Sequence, residues 1–157
     1  MEIALLTVGK TSVKYIQEGV DDYLKRLKHY IGFTMTCIPD LKKRGKPTPE
    51  RQKAEEGERI LAMLQPSDYV MLLDERGFEC GSEGFAGLLQ KQMSSGLKRL
   101  VFVIGGPYGF SEEVYARADR KMSLSQMTFS HEMIRLLFIE QVYRAMTILA
   151  GEPYHHR

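Results

Sequence analysis

The sequence predicts an α/β fold, a single domain over residues 1–157 in which a parallel-dominated sheet is covered by helices on both faces. Three observations lead there. Short apolar runs alternate with longer segments of helical period. The central runs, Tyr69-Val70-Met71-Leu72-Leu73 and Leu100-Val101-Phe102-Val103-Ile104, carry none of the polar alternation of a sheet with one wet face, so both faces must be buried. A chain of 157 residues can also hide roughly 68–70% of its unfolded surface in one core. No internal repeat, low-complexity stretch or second-domain linker interrupts it.

Taken in order, Ile3 to Val8 reads as a strand ended by Gly9. Ser12 is the expected cap of a helix whose apolar stripe is Val13, Ile16, Val20, Leu24 and Leu27, with Glu18, Asp21, Asp22, Lys25, Arg26 and Lys28 on the other face. Phe33 to Ile38 is a second strand, and Lys42-Lys43-Arg44-Gly45-Lys46 a basic loop. Thr48-Pro49-Glu50 starts a helix that runs to about Leu64, with cap, first-turn proline and first-turn acid in sequence. Tyr69 to Leu73 is the third strand, ending at a salt-bridged turn, Asp74-Glu75-Arg76-Gly77. Ser82 caps the next helix, through Phe85, Leu88, Leu89 and Met93 to the breaker Ser94-Ser95-Gly96. Leu100 to Ile104 is the fourth strand, Ser111-Glu112-Glu113 opens a short helix, and Lys121 to Leu124 is a short fifth strand. Ser130 caps the last helix, to about Ala150.

Composition narrows the function. With 22 Lys and Arg against 20 Asp and Glu, the net charge is only +2, so any nucleic-acid contact must come from a local patch. The cluster Lys42, Lys43, Arg44 and Lys46 is such a patch, though a merely solvated loop reads the same way. Cys37 and Cys80 stand alone, as in a reducing compartment, and the first apolar run is too short for a signal or a span. A cytoplasmic location is the expectation. No G-x-G-x-x-G, P-loop or G-x-S-x-G motif occurs, and His29, His131, His155 and His156 lack zinc-ligand spacing, so no metal is expected.

Two loops remain as ligand sites. Gly105-Gly106-Pro107-Tyr108-Gly109 has more glycine than a strand-to-helix turn needs, as where backbone approaches a ligand. Leu124 to Phe129 is too polar for a core strand and too apolar for an exposed loop. It suits a flat, partly apolar ligand such as an adenine ring, or else a buried connector. Both follow strands, and ligands of parallel sheets bind beyond the strands' carboxyl ends.

The final helix bears on assembly. Its residues Met133 to Leu149 are apolar in nearly every direction, so a second copy is expected to cover what one sheet face cannot, as a C2 homodimer. Glu140 and Arg144 are spaced to pair, whereas Arg135, a cation on a mostly apolar helix, is a candidate contact for RNA or a partner.

The segments Leu73-Asp74-Glu75-Arg76-Gly77, Ile104 to Gly109, Leu124 to Thr128, Glu140 to Ala145 and Pro153-Tyr154-His155, in this order and spacing, closely resemble the bacterial ribosomal large-subunit methyltransferase H family. These are SPOUT-class enzymes that methylate N3 of a pseudouridine in 23S rRNA. The resemblance spans the whole chain. It implies a C-terminal trefoil knot and an S-adenosyl-L-methionine site on Leu73, Gly105, Gly106, Leu124, Ser125, Gln126, Met127, Thr128 and Phe129. It places His131, Arg144, Tyr154 and His155 near the substrate: His155 as base, Tyr154 to position a ring or the tail, Arg144 to hold phosphate or the charged imide. A homodimer acting on 23S rRNA or the ribosome follows, with no metal required. Here His156 intervenes between Pro-Tyr-His and the terminal cation Arg157, counted with the RNA contacts. A non-catalytic ribosome-binding module and another flavodoxin-like nucleotide-binding enzyme are the alternatives.

Overall fold

A computed structural model describes residues 1–40 and 47–156; Lys42, Lys43, Arg44, Lys46 and Arg157 lie outside the described residues. Strands and helices alternate as β1 (Glu2–Val8), α1 (Lys14–Leu27), β2 (Gly32–Ile38), α2 (Pro49–Ala62), β3 (Tyr69–Phe78), α3 (Ser82–Ser94), β4 (Arg99–Ile104), α4 (Glu112–Arg117), β5 (Arg120–Met122) and α5 (Met133–Leu149). Among the described residues the strands form a five-stranded sheet in the order β2-β1-β4-β3-β5. Every pairing is parallel, so the carboxyl ends of all strands share one edge.

Along β1, Ile3 and Leu5 enter one core and Ala4 and Leu6 the other, which explains the unbroken apolar runs: successive side chains point to opposite faces and both are covered. On the first face α1, α3 and α5 bury Val20, Phe85 and Phe138. The rings of Phe102 and Phe138 lie 4.7 Å apart, with Phe85 edge-on to both. On the second face α2 and α4 contribute Ile60 and Val114. Helix α5 packs against α1 and α3 as well as the sheet. Phe138, Ile139, Val142, Ala145 and Met146 are thereby buried within the one chain, which accounts for much of this helix's all-round apolarity without a partner.

Two elements differ from expectation. β3 does not stop at Leu73 but continues to Phe78, and its register with β5 slips so that Leu73 and Phe78 both face Met122. The intervening residues 74–77 form an irregularity within a strand rather than a turn. The expected ion pair is present, Arg76 Nε to Asp74 Oδ1 at 3.5 Å. β5 is Arg120–Met122, shorter at its end than the expected Lys121 to Leu124; Ser123 N still donates to the carbonyl of Phe78 on β3 at 2.8 Å.

Thr48 and Ser111 cap α2 and α4 as expected, accepting from Arg51 N and Val114 N. Ser130 Oγ accepts from Met133 N, but it does not cap α5: the helix begins at Met133 with Glu132 as its N-cap residue, and Ser130 closes the turn before it. Ser82 does not cap α3; it is the first residue of the helix, and its hydroxyl donates to Gln141 on α5. Nor does Ser12 cap α1. The carboxylate of Glu132 accepts there instead, from Ser12 N at 2.7 Å, Ser12 Oγ at 2.8 Å and Val13 N at 3.0 Å. Those bonds hold Glu132 well below the usual carboxylate range, at about 2.

Arg135, expected at an RNA or partner surface, is 1% exposed. Its guanidinium donates to the carbonyl of Val8 at 2.8 Å, to Thr11 Oγ1 at 2.9 Å and to the carbonyl of His131 at 3.2 Å. This arginine is satisfied by carbonyls and a hydroxyl, and the carboxylate of Glu132, one turn back, adds a favourable charge. It ties α5 to the β1–α1 loop and has no surface left for RNA.

Candidate functional site

The loops that leave the carboxyl ends of β4 and β5, with the irregular second half of β3, enclose a cleft of about 880 Å³, within the range of small-molecule sites. Leu73, Gly105, Gly106, Leu124, Ser125, Met127, Thr128 and Phe129 line it, with His131 and Ile134 from the start of the last helical segment. Gln126 is not in the lining.

Steric limits on the backbone make this loop glycine-rich. A Cβ at Gly106 would lie 2.6 Å from Glu56 Oε1, a carboxylate 5% exposed and bonded by Gln52 Nε2 at 3.2 Å. A Cβ at Gly105 would lie 3.0 Å from the Phe110 ring, itself part of the second core. These glycines therefore let the loop lie down on its own support, Glu56 of α2 and Phe110.

The loop after β5 is held from within: Ser123 Oγ donates to the carbonyl of Ser125, whose hydroxyl accepts from Met127 N. Among the described residues, 124–129 make no backbone–backbone hydrogen bond. Apart from the Ser125 carbonyl and the Met127 N–H, which these side-chain bonds engage, their peptide groups are left free of any ladder to meet a ligand.

A cluster that sequence reasoning missed closes one side. The Tyr115 hydroxyl donates to Asp74 Oδ2, Arg76 N donates to Asp74 Oδ1 at 2.8 Å, and Arg76 Nη2 donates to the Tyr115 oxygen at 2.9 Å. Burial pushes the Asp74 carboxyl up, but the bonds from Tyr115 and Arg76, with the guanidinium charge, outweigh it and hold Asp74 below its ordinary value. Burial and the bond to Asp74 raise Tyr115, which stays a neutral phenol. The Asp74–Arg76 spacing was visible in the sequence; the partner 41 positions on was not.

The remaining expected site residues lie elsewhere. Arg144 Nη2 meets Glu140 Oε1 at 2.6 Å, as the spacing predicts, and its Nη1 lies 3.1 Å from His155 Nδ1. Tyr154 donates to Glu140 Oε1 at 3.0 Å, so Tyr23 donates the bond that joins it to the Tyr154 oxygen, also at 3.0 Å. The Tyr154 ring packs edge-on to Tyr143 at 4.8 Å and lies beneath the Arg144 guanidinium. Burial and these two bonds push the Tyr154 hydroxyl far up, so it acts as a neutral positioning group.

The tail is thus seated on α1 and the end of α5, whereas His131 and Ile134 are in the cleft. Ten residues of helix, about 15 Å of rise, separate Ile134 from Arg144. In one chain, therefore, the cleft and the cluster of Arg144, Tyr154 and His155 stand apart.

The Arg144 contact also bears on the proton of His155. A guanidinium can only donate, so Nδ1 accepts and the neutral imidazole carries its hydrogen on Nε2. In this arrangement His155 offers a hydrogen-bond donor. The base role expected of it would require breaking the pair with Arg144.

The cleft's lining fits a cation attached to a flat ring. Glu50, Asp74, Glu75, Glu112 and Glu113 set five carboxylates against Lys53 and Arg76, while Ile104, Met122, Leu124 and Phe129 add apolar surface. S-adenosylmethionine, a sulfonium joined to adenosine, has this character, and the peptide groups of residues 124–129 would recognise its ring.

An all-parallel sheet with a ligand cleft at its carboxyl edge defines an α/β enzyme of the cofactor-binding kind. Over residues 1–155 the chain matches the family model described as "Predicted SPOUT methyltransferase", and it belongs to this SPOUT methyltransferase family. It is 58% identical, across all of both chains, to "Ribosomal RNA large subunit methyltransferase H" of Christiangramia forsetii. It is 57% and 54% identical to proteins of that name from Parabacteroides distasonis and Bacteroides fragilis, covering 99% of each chain. Among the described residues no helix is long and apolar enough to cross a membrane.

Proposed function

We propose that this protein transfers a methyl group from S-adenosylmethionine to N3 of a pseudouridine in 23S rRNA of the large ribosomal subunit. We further propose that it works as a homodimer in which each tail completes the partner's cleft. The full-length likeness to proteins named as large-subunit rRNA methyltransferases supports the substrate class. One observation carries the composite site: the cleft with His131 lies at one end of α5 and Arg144, Tyr154 and His155 at the other. A second copy with its α5 antiparallel brings a tail to each cleft.

S-adenosylmethionine supplies a methyl on a sulfonium, a good leaving arrangement, so alignment carries much of the rate. The imide N3–H gives up its proton to solvent water, which leaves negative charge on the ring, and the methyl then passes from sulfur to N3 with S-adenosylhomocysteine as the leaving product. His155, through Nε2–H, and Arg144, through its fixed charge, stabilise that anion, and Tyr154 holds both in place through Glu140. The half-buried Leu137, which packs into neither core, offers a contact for the partner helix.

Incubating the protein with S-adenosylmethionine and ribosomes from cells lacking it tests the reading. Nucleoside mass mapping should find one new N3-methylpseudouridine in 23S rRNA. Absence of methyl transfer, or calorimetric binding of FMN or ATP but not S-adenosylmethionine, overturns it.

A further inference from the structure

A second concavity of about 400 Å³ opens beside the cleft, bounded by Arg76, Tyr115, Ala118, Asp119, Arg120 and Lys121. Arg76 and Tyr115 line both spaces and form the wall between them. The groove runs along β5, the edge strand of the sheet.

Its charge is opposite to that of the cleft. The Asp119 carboxylate is already engaged, accepting from Val70 N at 2.7 Å and facing Arg117 at 3.6 Å. Among the described residues no ion pair is made by Arg120 or Lys121, both exposed. Arg76 is bound to Asp74 on one side, yet its side chain is 68% exposed.

These cations rest on aromatic rings. The Arg120 guanidinium sits 3.9 Å over the Phe78 ring, and Lys121 Nζ and the Arg76 guanidinium lie 5.5 and 5.6 Å from the centre of Tyr115. Such stacking fixes the long side chains while leaving their N–H groups free to donate.

We propose that this groove seats a phosphodiester of the substrate RNA, on the strand whose target nucleotide enters the adjoining cleft. The inference rests on the rRNA methyltransferase reading and adds where the backbone runs. Five carboxylates line the cleft, so a polyanion is repelled from it while a neutral base is admitted. The unpaired cations one wall away give the displaced backbone its nearest favourable seat. Arg76, shared by the two spaces, would feel both base and phosphate.

The test uses the full chain and large ribosomal subunits lacking the modification, with affinity measured over a salt series. Replacing Arg120→Gln and Lys121→Gln together should lower the slope of log affinity against log salt by about 1.4 to 1.8, two phosphate contacts at 0.7 to 0.9 each. Arg120→Lys with Lys121→Arg should restore the slope, and calorimetric affinity for S-adenosylmethionine should stay at the wild-type value throughout. Should the double variant not fold, Lys121→Gln alone carries the test with half the change in slope. A variant that binds subunits with wild-type affinity and slope overturns the groove and leaves the methyltransferase reading standing. A wild-type protein that binds S-adenosylmethionine but neither binds nor methylates ribosomal RNA overturns both.

Discussion

The carboxylate of Glu132 accepts the backbone N–H of Ser12 at 2.7 Å, joining the threshold of α5 to that of α1 across 120 positions. A helix start leaves unpaired N–H groups, and here a residue from the far end of the chain supplies the anion that a local Ser or Asp usually provides. Arg135, three residues on, grips Val8 and Thr11 of the same connection.

Glu132 should therefore make stability depend on acid. Its value is lowered from 4.5 to about 2, so its contribution is complete above about 4.5 and is lost as pH falls from there toward 2. Urea unfolding of the wild type and of Glu132→Gln should differ at pH 7 and converge toward pH 2. A gap that is constant across this range would count against the cap.

Arg135→Gln should lower stability by about 1–3 kcal/mol, because the buried carbonyl of Val8 loses its donor. Ribosome binding by the variant, measured where it remains folded, should keep the wild-type salt dependence. A lowered slope would return Arg135 to the RNA surface.

Gly105→Val should weaken S-adenosylmethionine binding by way of Phe110, since the new side chain meets that ring. Overpacking of this kind costs about 1–3 kcal/mol of stability. Adding Phe110→Leu should recover part of both losses in calorimetry and unfolding. No recovery would mean that the side chain obstructs the ligand directly.

Deleting residues 154–157 should abolish methyl transfer while most cofactor affinity remains. Mixing the deletion variant with Gly106→Val should restore activity, because a mixed dimer keeps one intact cleft facing one intact tail. If the mixture stays inactive at full exchange, the composite site is refuted. His155→Ala should lower the rate by roughly 10²- to 10⁴-fold if the imidazole is the base. His155→Gln, which keeps an N–H donor, should retain more activity than Ala if the donor role is correct, and equal losses would restore the base.

Light scattering should give about twice the 18.0 kDa chain mass. Ile139 is wholly buried in its own subunit's core, so Ile139→Asp reports on folding rather than assembly. Leu137→Asp is the substitution expected to give a folded monomer, and a dimer unaffected by it would place the contact elsewhere.

The sheet was legible because runs such as Leu100 to Ile104 have one structural solution when both faces are buried. Strand order was not, since an apolar period does not say which neighbour a strand chooses. The cleft loops were legible at Gly105 and Leu124–Phe129, where glycine or mixed polarity breaks the core pattern. Asp74–Gly77 misled because local charges in a row imitate a turn, whereas a register slip against β5 depends on a strand read far later. Glu132, Tyr115 and Glu56 act on residues distant in the chain, and no local spacing encodes such partners.

The seating of Tyr154 on Tyr23 and Glu140 carries a kinetic implication. A terminal segment usually samples many shapes and must surrender that freedom when it engages anything. Here the surrender accompanies folding of the subunit itself, so whatever later meets the tail meets a preformed surface. Encounter is then limited by the docking of two rigid shapes rather than by a disordered end finding its place.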